Sequence, residues 1–177
     1  MPIRASKFGG FEMPKAKYQL EDFLAIVNDN FRNFATIIHE KLLQDGYKLK
    51  IQSTKTYGLH ASYRQPKIKS VTGIIVYLLV RDGKLMIRIN ADNHKQYPDV
   101  LNRLPENIIS QVDKADNCMK KNDPQKCWKG CKGYDFHIGS THYHKCLLNC
   151  FLFDVNSENM PFLIELIEHE SKVRVAV

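Results

Sequence analysis

The residues best able to do chemistry lie between Cys118 and Cys150. This stretch holds all five cysteines of the chain, its only tryptophan (Trp128) and three of its seven histidines. Four thiolates, or three thiolates and one imidazole, are common ligand sets of structural zinc. The spacing differs from the CxxC…CxxC of a zinc ribbon, so two other uses stay open: thiols without a metal, and a redox pair or iron–sulfur cluster. The cysteines are Cys118, Cys127, Cys131, Cys146 and Cys150.

The spacing of residues along a strand favours four of the five thiols as ligands of one metal ion. The segment KCLLNCFLFDV is rich in apolar residues and is predicted to be a strand. On a strand Cys146 and Cys150 would lie about 13 Å apart, at ~3.3 Å per residue. Two ligands of one zinc ion, each about 2.3 Å from it, cannot be so distant. In a helix the two would be neighbours and the argument would fail. The predicted metal ligands are therefore Cys118, Cys127, Cys131 and Cys146.

Two histidines keep a second ligand set open. On a strand His142 and His144 would share a face about 6.5 Å apart and could chelate together. Gly130, Gly133 and Gly139 indicate a tight, looping connection in which three thiols and one of these imidazoles could meet. Zinc suits such a segment because it joins distant points without requiring a large core.

Two general features of the sequence, its apolar runs and its length, indicate the compartment and the number of domains. No run of about 18 apolar residues occurs, and the N-terminus lacks the apolar core of a signal peptide. We therefore expect a cytoplasmic protein without a membrane segment, whose thiols stay reduced. A chain of 177 residues has the length of one domain with its own core. Residues 1–18 are predicted to be an N-terminal arm, and residues 19–177 a single α+β domain with a Cys-rich segment at 118–150.

The hydrophobic pattern predicts the elements that position these residues. Apolar residues recur every three or four positions from Leu20 to Asp45, which indicates a helix that Asn28-Asp29-Asn30 would divide and Gly46 would end. Alternating or continuous apolar runs then predict four antiparallel strands, with Asp82-Gly83 in a tight turn. The predicted strands are 47–53, 57–64, 71–80 and 84–90.

Further helices are predicted after the four strands. Two short ones cover 99–103 and 105–115, and a last one runs from Ser157 or Asn159 to His169. Alternation over 172–177 indicates an edge strand. The predicted fold class is α+β, with an antiparallel sheet of four to six strands. An N-terminal helix and a C-terminal helix would cover the sheet, and the Cys-rich segment would be a loop.

One span is strongly basic. The net charge is +7, and no acidic residue lies between Asp45 and Asp82. The lysines and arginines of span 46–81 alternate with tyrosines and a histidine. This favours either a surface for a phosphate, nucleotide or single-stranded nucleic acid, or an ordinary solvated face. If the polar residues of neighbouring strands meet, they would form a ligand-binding floor. The candidate ligand-binding residues are Tyr57, His60, Tyr63, Arg64, Arg88 and Asn90.

Four sequence words carry a resemblance: YGLHASYRQPKIK, LMIRINADN, LNRLPENI and CKGYDFHIGSTHYHKCLLNCFLF. Over roughly residues 47–155 the chain resembles a group of small bacterial cysteine-containing proteins, distantly similar to the YdhG-like and YjbR-like domains. The resemblance implies an α+β fold with an antiparallel sheet, and it implies no activity. It also implies that the cysteines at 118, 127, 131 and 146 recur while Cys150 varies. The arginine usual after the fourth cysteine is Leu147 here.

No nucleophile elbow, phosphate-binding loop, dinucleotide fingerprint or HExxH helix occurs in the chain. We therefore expect a non-catalytic, zinc-stabilised α+β module that binds a small or anionic ligand. One alternative is a thiol- or metal-dependent enzyme that uses Cys127 or Cys131 with His142 or His144 as the base. Another is a nucleic-acid-binding protein that uses span 46–81.

Overall fold

The computed structural model describes residues 18–68, 73–119, 127 and 131–176. The predicted arm falls almost wholly on residues 1–17, outside this range, as do Gly130 and the predicted start of the third strand at residue 71. The helices are α1 (Leu20–Ile26), α2 (Asp29–Gln44), α3 (Pro98–Asn102), α4 (Glu106–Lys114) and α5 (Met160–Val175). The strands are β1 (Lys48–Thr54), β2 (Gly58–Arg64), β3 (Ile74–Arg81), β4 (Lys84–Ile89), β5 (Tyr134–Ile138), β6 (Thr141–Lys145) and β7 (Leu152–Asp154).

Local signals set the ends of α1 and α2. The predicted break is confirmed: the Asn28 side chain accepts a hydrogen bond from the backbone of Asn30 and caps α2. Gly46, with a φ of 86°, follows the end of α2. The backbone N–H groups of Gly46 and Tyr47 donate to the carbonyls of Leu43 and Leu42, the paired closure of a glycine-terminated helix.

The larger sheet has five strands in the order β1-β2-β3-β4-β7, all antiparallel. The predicted central position of β3 is confirmed. Asp82 and Gly83 connect β3 to β4 with φ values of 51° and 72°, as a two-residue hairpin turn requires. This turn pairs Arg81 with Lys84 and so sets the register of the whole hairpin.

The α+β class and the antiparallel sheet are thus as predicted, with N-terminal and C-terminal helices. Residues from α1, α2 and α5 share one buried cluster with alternate residues of β2, β3 and β4. Tyr63 of β2 marks the helix side of the sheet, because its hydroxyl lies 3.2 Å from Nδ1 of His39 on α2. Within the described part of the chain, no helix combines the length and apolar character needed to span a bilayer.

A buried ionic cluster fixes α5 to the loop that follows β4. The carboxylate of Glu170 is fully buried and accepts hydrogen bonds from Tyr97, Asn93 and Arg174. Arg174 also contacts Asp92 at 2.8 Å. The predicted edge strand at 172–177 is wrong over 172–175, because α5 continues to Val175 and places Arg174 one turn after Glu170, within reach of its carboxylate.

The Cys-rich segment, predicted to be a loop, contains a second sheet: the hairpin of β5 and β6, which packs beside the first sheet. Its inward side chains include Tyr134 and Phe136, whose rings contact Phe151 at centroid distances of 4.8 and 5.4 Å. The ammonium of Lys145, at the end of β6, donates to the carbonyls of Asp113 and Ala115 at the C-terminus of α4. These bonds satisfy carbonyls that α4 leaves without partners and join the Cys-rich segment to the helical layer.

Candidate functional site

Arg88 is a buried cation on the sheet face opposite Tyr63. It lies on β4 and is only 8 % exposed. Its guanidinium lies 4.4 Å from the centre of the Tyr77 ring, and Nη1 makes a long 3.4 Å bond to the Tyr57 hydroxyl. Its Nε is buried and has no hydrogen-bond partner among the residues that the structure describes. A buried guanidinium with an unsatisfied donor costs free energy, so this one calls for a functional explanation.

Aromatic side chains of neighbouring strands surround this arginine. The ring of Tyr57 meets the edge of His60 at 5.7 Å, and His60 lies 6.3 Å from Tyr77. His60 is 1 % exposed, and its Nδ1 donates to the Gly58 carbonyl. Its Nε2 then accepts from the Gln52 amide at 3.0 Å. Both ring nitrogens of His60 are therefore occupied, and its ring serves to position the tyrosines. Arg88 is the member of this group that has a hydrogen-bond donor available for a ligand.

The structure brings together three of the six predicted ligand-binding residues: Tyr57, His60 and Arg88. Tyr63 points to the opposite face of the sheet, since side chains alternate along β2. Asn90 donates its side-chain amide to the Ile74 carbonyl at 2.8 Å, and Arg64 donates to the Ile68 carbonyl.

Sequence reasoning missed Tyr77. The apolar run of β3 concealed the alternation that places Tyr77 on the polar face. A usable signal was nevertheless present, because a two-residue turn at Asp82-Gly83 fixes the register of its hairpin. Counting outward from that turn pairs Tyr77 with Arg88, as the structure has it.

A cavity of about 160 Å³ is lined by four thiols, those of Cys118, Cys127, Cys131 and Cys146. Two of them lie on adjoining chain segments: the Cys118 N–H donates to the His144 carbonyl, and the Cys146 N–H donates to the Asp116 carbonyl. Met119 and Leu148 also line the cavity, and both are about half exposed. Three distant stretches of the Cys-rich segment thus reach one place.

Gly133 lets the chain pass close to these thiols. Its φ is 67°, and a Cβ there would lie 2.8 Å from Sγ of Cys118 and 2.8 Å from the Lys145 carbonyl oxygen. Only glycine fits both the conformation and the space. Desolvation and the neighbouring Cys131 thiol, which shares a hydrogen bond with Cys127, raise the pKa of Cys127. This opposes a free thiolate nucleophile, whereas a bound metal ion would favour the thiolate.

The prediction that residues 145–155 form one strand is wrong. Residues 147–151 form a turn in which the Cys150 N–H donates to the Cys146 carbonyl, and β7 begins only at Leu152. The strand spacing that was expected to separate Cys150 from Cys146 therefore does not apply. Cys150 nevertheless does not line the cavity, because it is fully buried in the core. Burial raises the pKa of its thiol well above the ordinary value.

Within the described residues, no group of three or more His, Cys, Asp or Glu side chains is arranged to hold a metal ion as it stands. His142 and His144 do not line the cysteine cavity. His142 bonds Asp135, and Nε2 of His144 lies 3.1 Å from the Lys132 carbonyl. Within the described residues, no side-chain hydrogen bond joins Cys127 or Cys131 to His142 or His144. The alternative in which one of these histidines acts as the base for a cysteine therefore has no supporting contact there.

The first lysines of the basic span 46–81 lie at the edge of the larger sheet. Lys48 and Lys50 are exposed on β1, which is an edge strand, while Leu49 and Ile51 pack against the core as predicted. Charged side chains on an edge strand discourage pairing with another sheet, which accounts for these lysines without a ligand.

Comparison with known proteins adds no relative: no family model, no curated protein and no solved structure matches the chain. The similarity to YdhG-like and YjbR-like domains stays a prediction. What can be argued about function therefore rests on the two sites described above.

Proposed function

We propose that this protein is a non-catalytic α+β module that binds a small oxyanion, a carboxylate or phosphate group, at Arg88. The observation that supports the proposal is the buried guanidinium, whose Nε lacks a hydrogen-bond partner in the described part of the chain. An oxyanion would accept from Nε and Nη groups together and neutralise the buried charge. The planar fork of arginine is suited to this bidentate contact.

The surroundings of Arg88 support this choice of ligand. The Tyr77 ring holds one face of the guanidinium, so its donors remain directed along the plane. The hydroxyl of Tyr57, now at 3.4 Å from Nη1, is close enough to donate to a bound anion. Burial raises the pKa of Tyr77, so that phenol stays neutral and does not repel an anion.

The test is calorimetric titration of the full chain with inorganic phosphate, pyrophosphate and acetate at constant ionic strength. We expect saturable binding of at least one of these anions, and a loss of about 10- to 100-fold in affinity in R88M, since a charge-assisted hydrogen bond contributes about 1.5–3 kcal/mol. R81M is the matched control, because Arg81 is an exposed arginine at the end of β3 and its loss changes the net charge equally.

Equal losses in R88M and R81M would mean that anions respond only to surface charge, and the proposal would be rejected. Absence of saturable binding with all three anions would reject it as well. Binding of an oligonucleotide that persists at about 0.2 M salt and is weakened equally by the two substitutions would favour the nucleic-acid alternative.

We propose further that the cysteine cavity holds a structural zinc ion through Cys118, Cys127, Cys131 and Cys146. The supporting observation is that the four thiols line one cavity. Movement of side chains would be needed to gather them into one coordination sphere, and metal binding supplies free energy for such ordering. Zinc at this point would fasten the link between α4 and β5 to the end of β6.

Metal analysis of untagged protein tests this second proposal. We expect one tightly held zinc per chain, and alkylation of four further thiols after a chelator removes it. C146S should lose the zinc, whereas C150A, one turn away, should retain it. Protein purified under reducing conditions that neither contains zinc nor gains thiol protection when zinc is added would refute the site.

A further inference from the structure

The exposed face of the β5–β6 hairpin carries a group of polar side chains that the proposed function does not use. Side chains alternate along both strands, with Tyr134, Phe136 and Ile138 buried and Asp135 and His137 exposed. On β6 the exposed or partly exposed residues include His142 and His144. The register pairs His137 with His142 and Asp135 with His144, so four such groups adjoin one another on one face.

His137 and His142 have the spacing of a chelating pair. Their ring centroids are 4.8 Å apart and the rings are tilted by 33°. Imidazole nitrogens lie about 2.0–2.1 Å from zinc, which puts the centroids of two tetrahedral ligands about 5 Å apart. The sequence suggested His142 with His144 along one strand, whereas the ring that lies 4.8 Å from His142 is that of His137, across the hairpin.

Asp135 sets the orientation of one of these rings. Its Oδ1 lies 2.6 Å from Nε2 of His142, and both side chains are more than half exposed. This bond places the proton of the neutral ring on Nε2 and leaves the lone pair on Nδ1. A carboxylate that orients a histidine in this way is the common support of histidine ligands in metal sites.

We propose that His137 and His142 form a second metal site, for a divalent ion of the zinc, nickel or copper class. Nδ1 of His142 is a ligand, and Asp135 is the positioning residue. Imidazole suits these ions, and an exposed pair leaves the remaining coordination positions to water. Within the described residues the pair has no third His, Cys, Asp or Glu arranged to complete a metal site, so its other ligands would come from solvent. The His137 side chain is exposed and makes no hydrogen bond within the described part of the chain.

The experiment adds a second equivalent of Zn²⁺ to the untagged, ¹⁵N-labelled full chain, which already contains one equivalent of zinc. Histidine ring nitrogens are followed individually by NMR. We expect the rings of His137 and His142 to shift together, with the larger change at Nδ1 of His142. H137N or H142N should weaken this binding at least tenfold, and D135N about tenfold. H144N is the matched control, on the same strand and face, and should change the affinity less than twofold.

Two results would overturn the assignment: no shift at either ring while zinc binds elsewhere, or a loss in H144N as large as that in H137N. The result does not depend on the cysteine site. If the cysteines hold no zinc, the two rings shift with the first equivalent instead of the second. Because these side chains are exposed, the variants are expected to keep the unfolding temperature of the parent protein.

Discussion

Replacing Arg88 by methionine should make the ligand-free protein more stable, although it removes the proposed binding group. Methionine has a similar length, is apolar and adapts to irregular space. The native arginine is 8 % exposed, and no described residue is a hydrogen-bond partner of its Nε. A residue retained for binding at the expense of stability is expected to behave in this way.

The magnitude follows from the contacts of the guanidinium. The variant loses the contact with the Tyr77 ring, worth about 2 kcal/mol in a desolvated site. It also loses the long bond to Tyr57, worth no more than about 1 kcal/mol. It regains about 1–3 kcal/mol from the unpaired Nε and several kcal/mol from no longer burying the ion. We expect a net increase of about 1–2 kcal/mol in the free energy of unfolding.

Urea denaturation of both proteins without added anions measures this difference. A gain of this size should raise the unfolding temperature by about 2–8 °C in a chain of this length. R81M should leave stability nearly unchanged, since Arg81 is exposed. A loss of more than about 1 kcal/mol in R88M would show that the arginine is there to support the fold, and our reasoning about its unpaired nitrogen would be wrong.

Three further outcomes are expected. G133A should cost at least 2 kcal/mol more unfolding free energy than G139A in urea titrations, because both have positive φ but only Gly133 lacks room for a Cβ; equal costs would contradict the crowding. C150S should lower the free energy of unfolding by about 1–3 kcal/mol, and by more than C150A, because a hydroxyl would enter the apolar core at Cys150; a smaller cost than that of C150A would contradict this. The hydrogen bond with His142 lowers the pKa of Asp135, so H142N should raise it toward the ordinary value in a carboxyl NMR titration, and an unchanged pKa would refute the contact.

Much of the architecture could be predicted because its causes are local. Asn28 caps a helix through its own side chain, and Gly46 ends one by adopting a positive φ. The turn at Asp82-Gly83 sets the β3–β4 hairpin from two residues. The alternation of Leu49 and Ile51 with lysines indicates which face of β1 is buried. Such signals act within a few residues, so they survive without knowledge of the tertiary structure.

Short apolar runs do not specify their own structure in this local way. The residues around Cys146 and Cys150 are apolar enough for a strand or for a buried turn, and only packing decides between them. The turn forms because Cys150 and Phe151 enter the core shared with the β5–β6 hairpin. The predicted strand geometry, and the distance between the two cysteines, changed with it.

The sequence by itself determined which groups exist and, where apolar and polar residues alternate as they do in β1, on which side of the strand they lie. It also determined the register of the β3–β4 hairpin, because its two-residue turn leaves no freedom in pairing. Only the tertiary structure decided that Arg88 is buried with an Nε that has no partner among the described residues, that four thiols line one cavity, and that Cys150 belongs to the core. These facts depend on contacts between distant parts of the chain, and burial of a charge or a thiol is a property of everything packed around it.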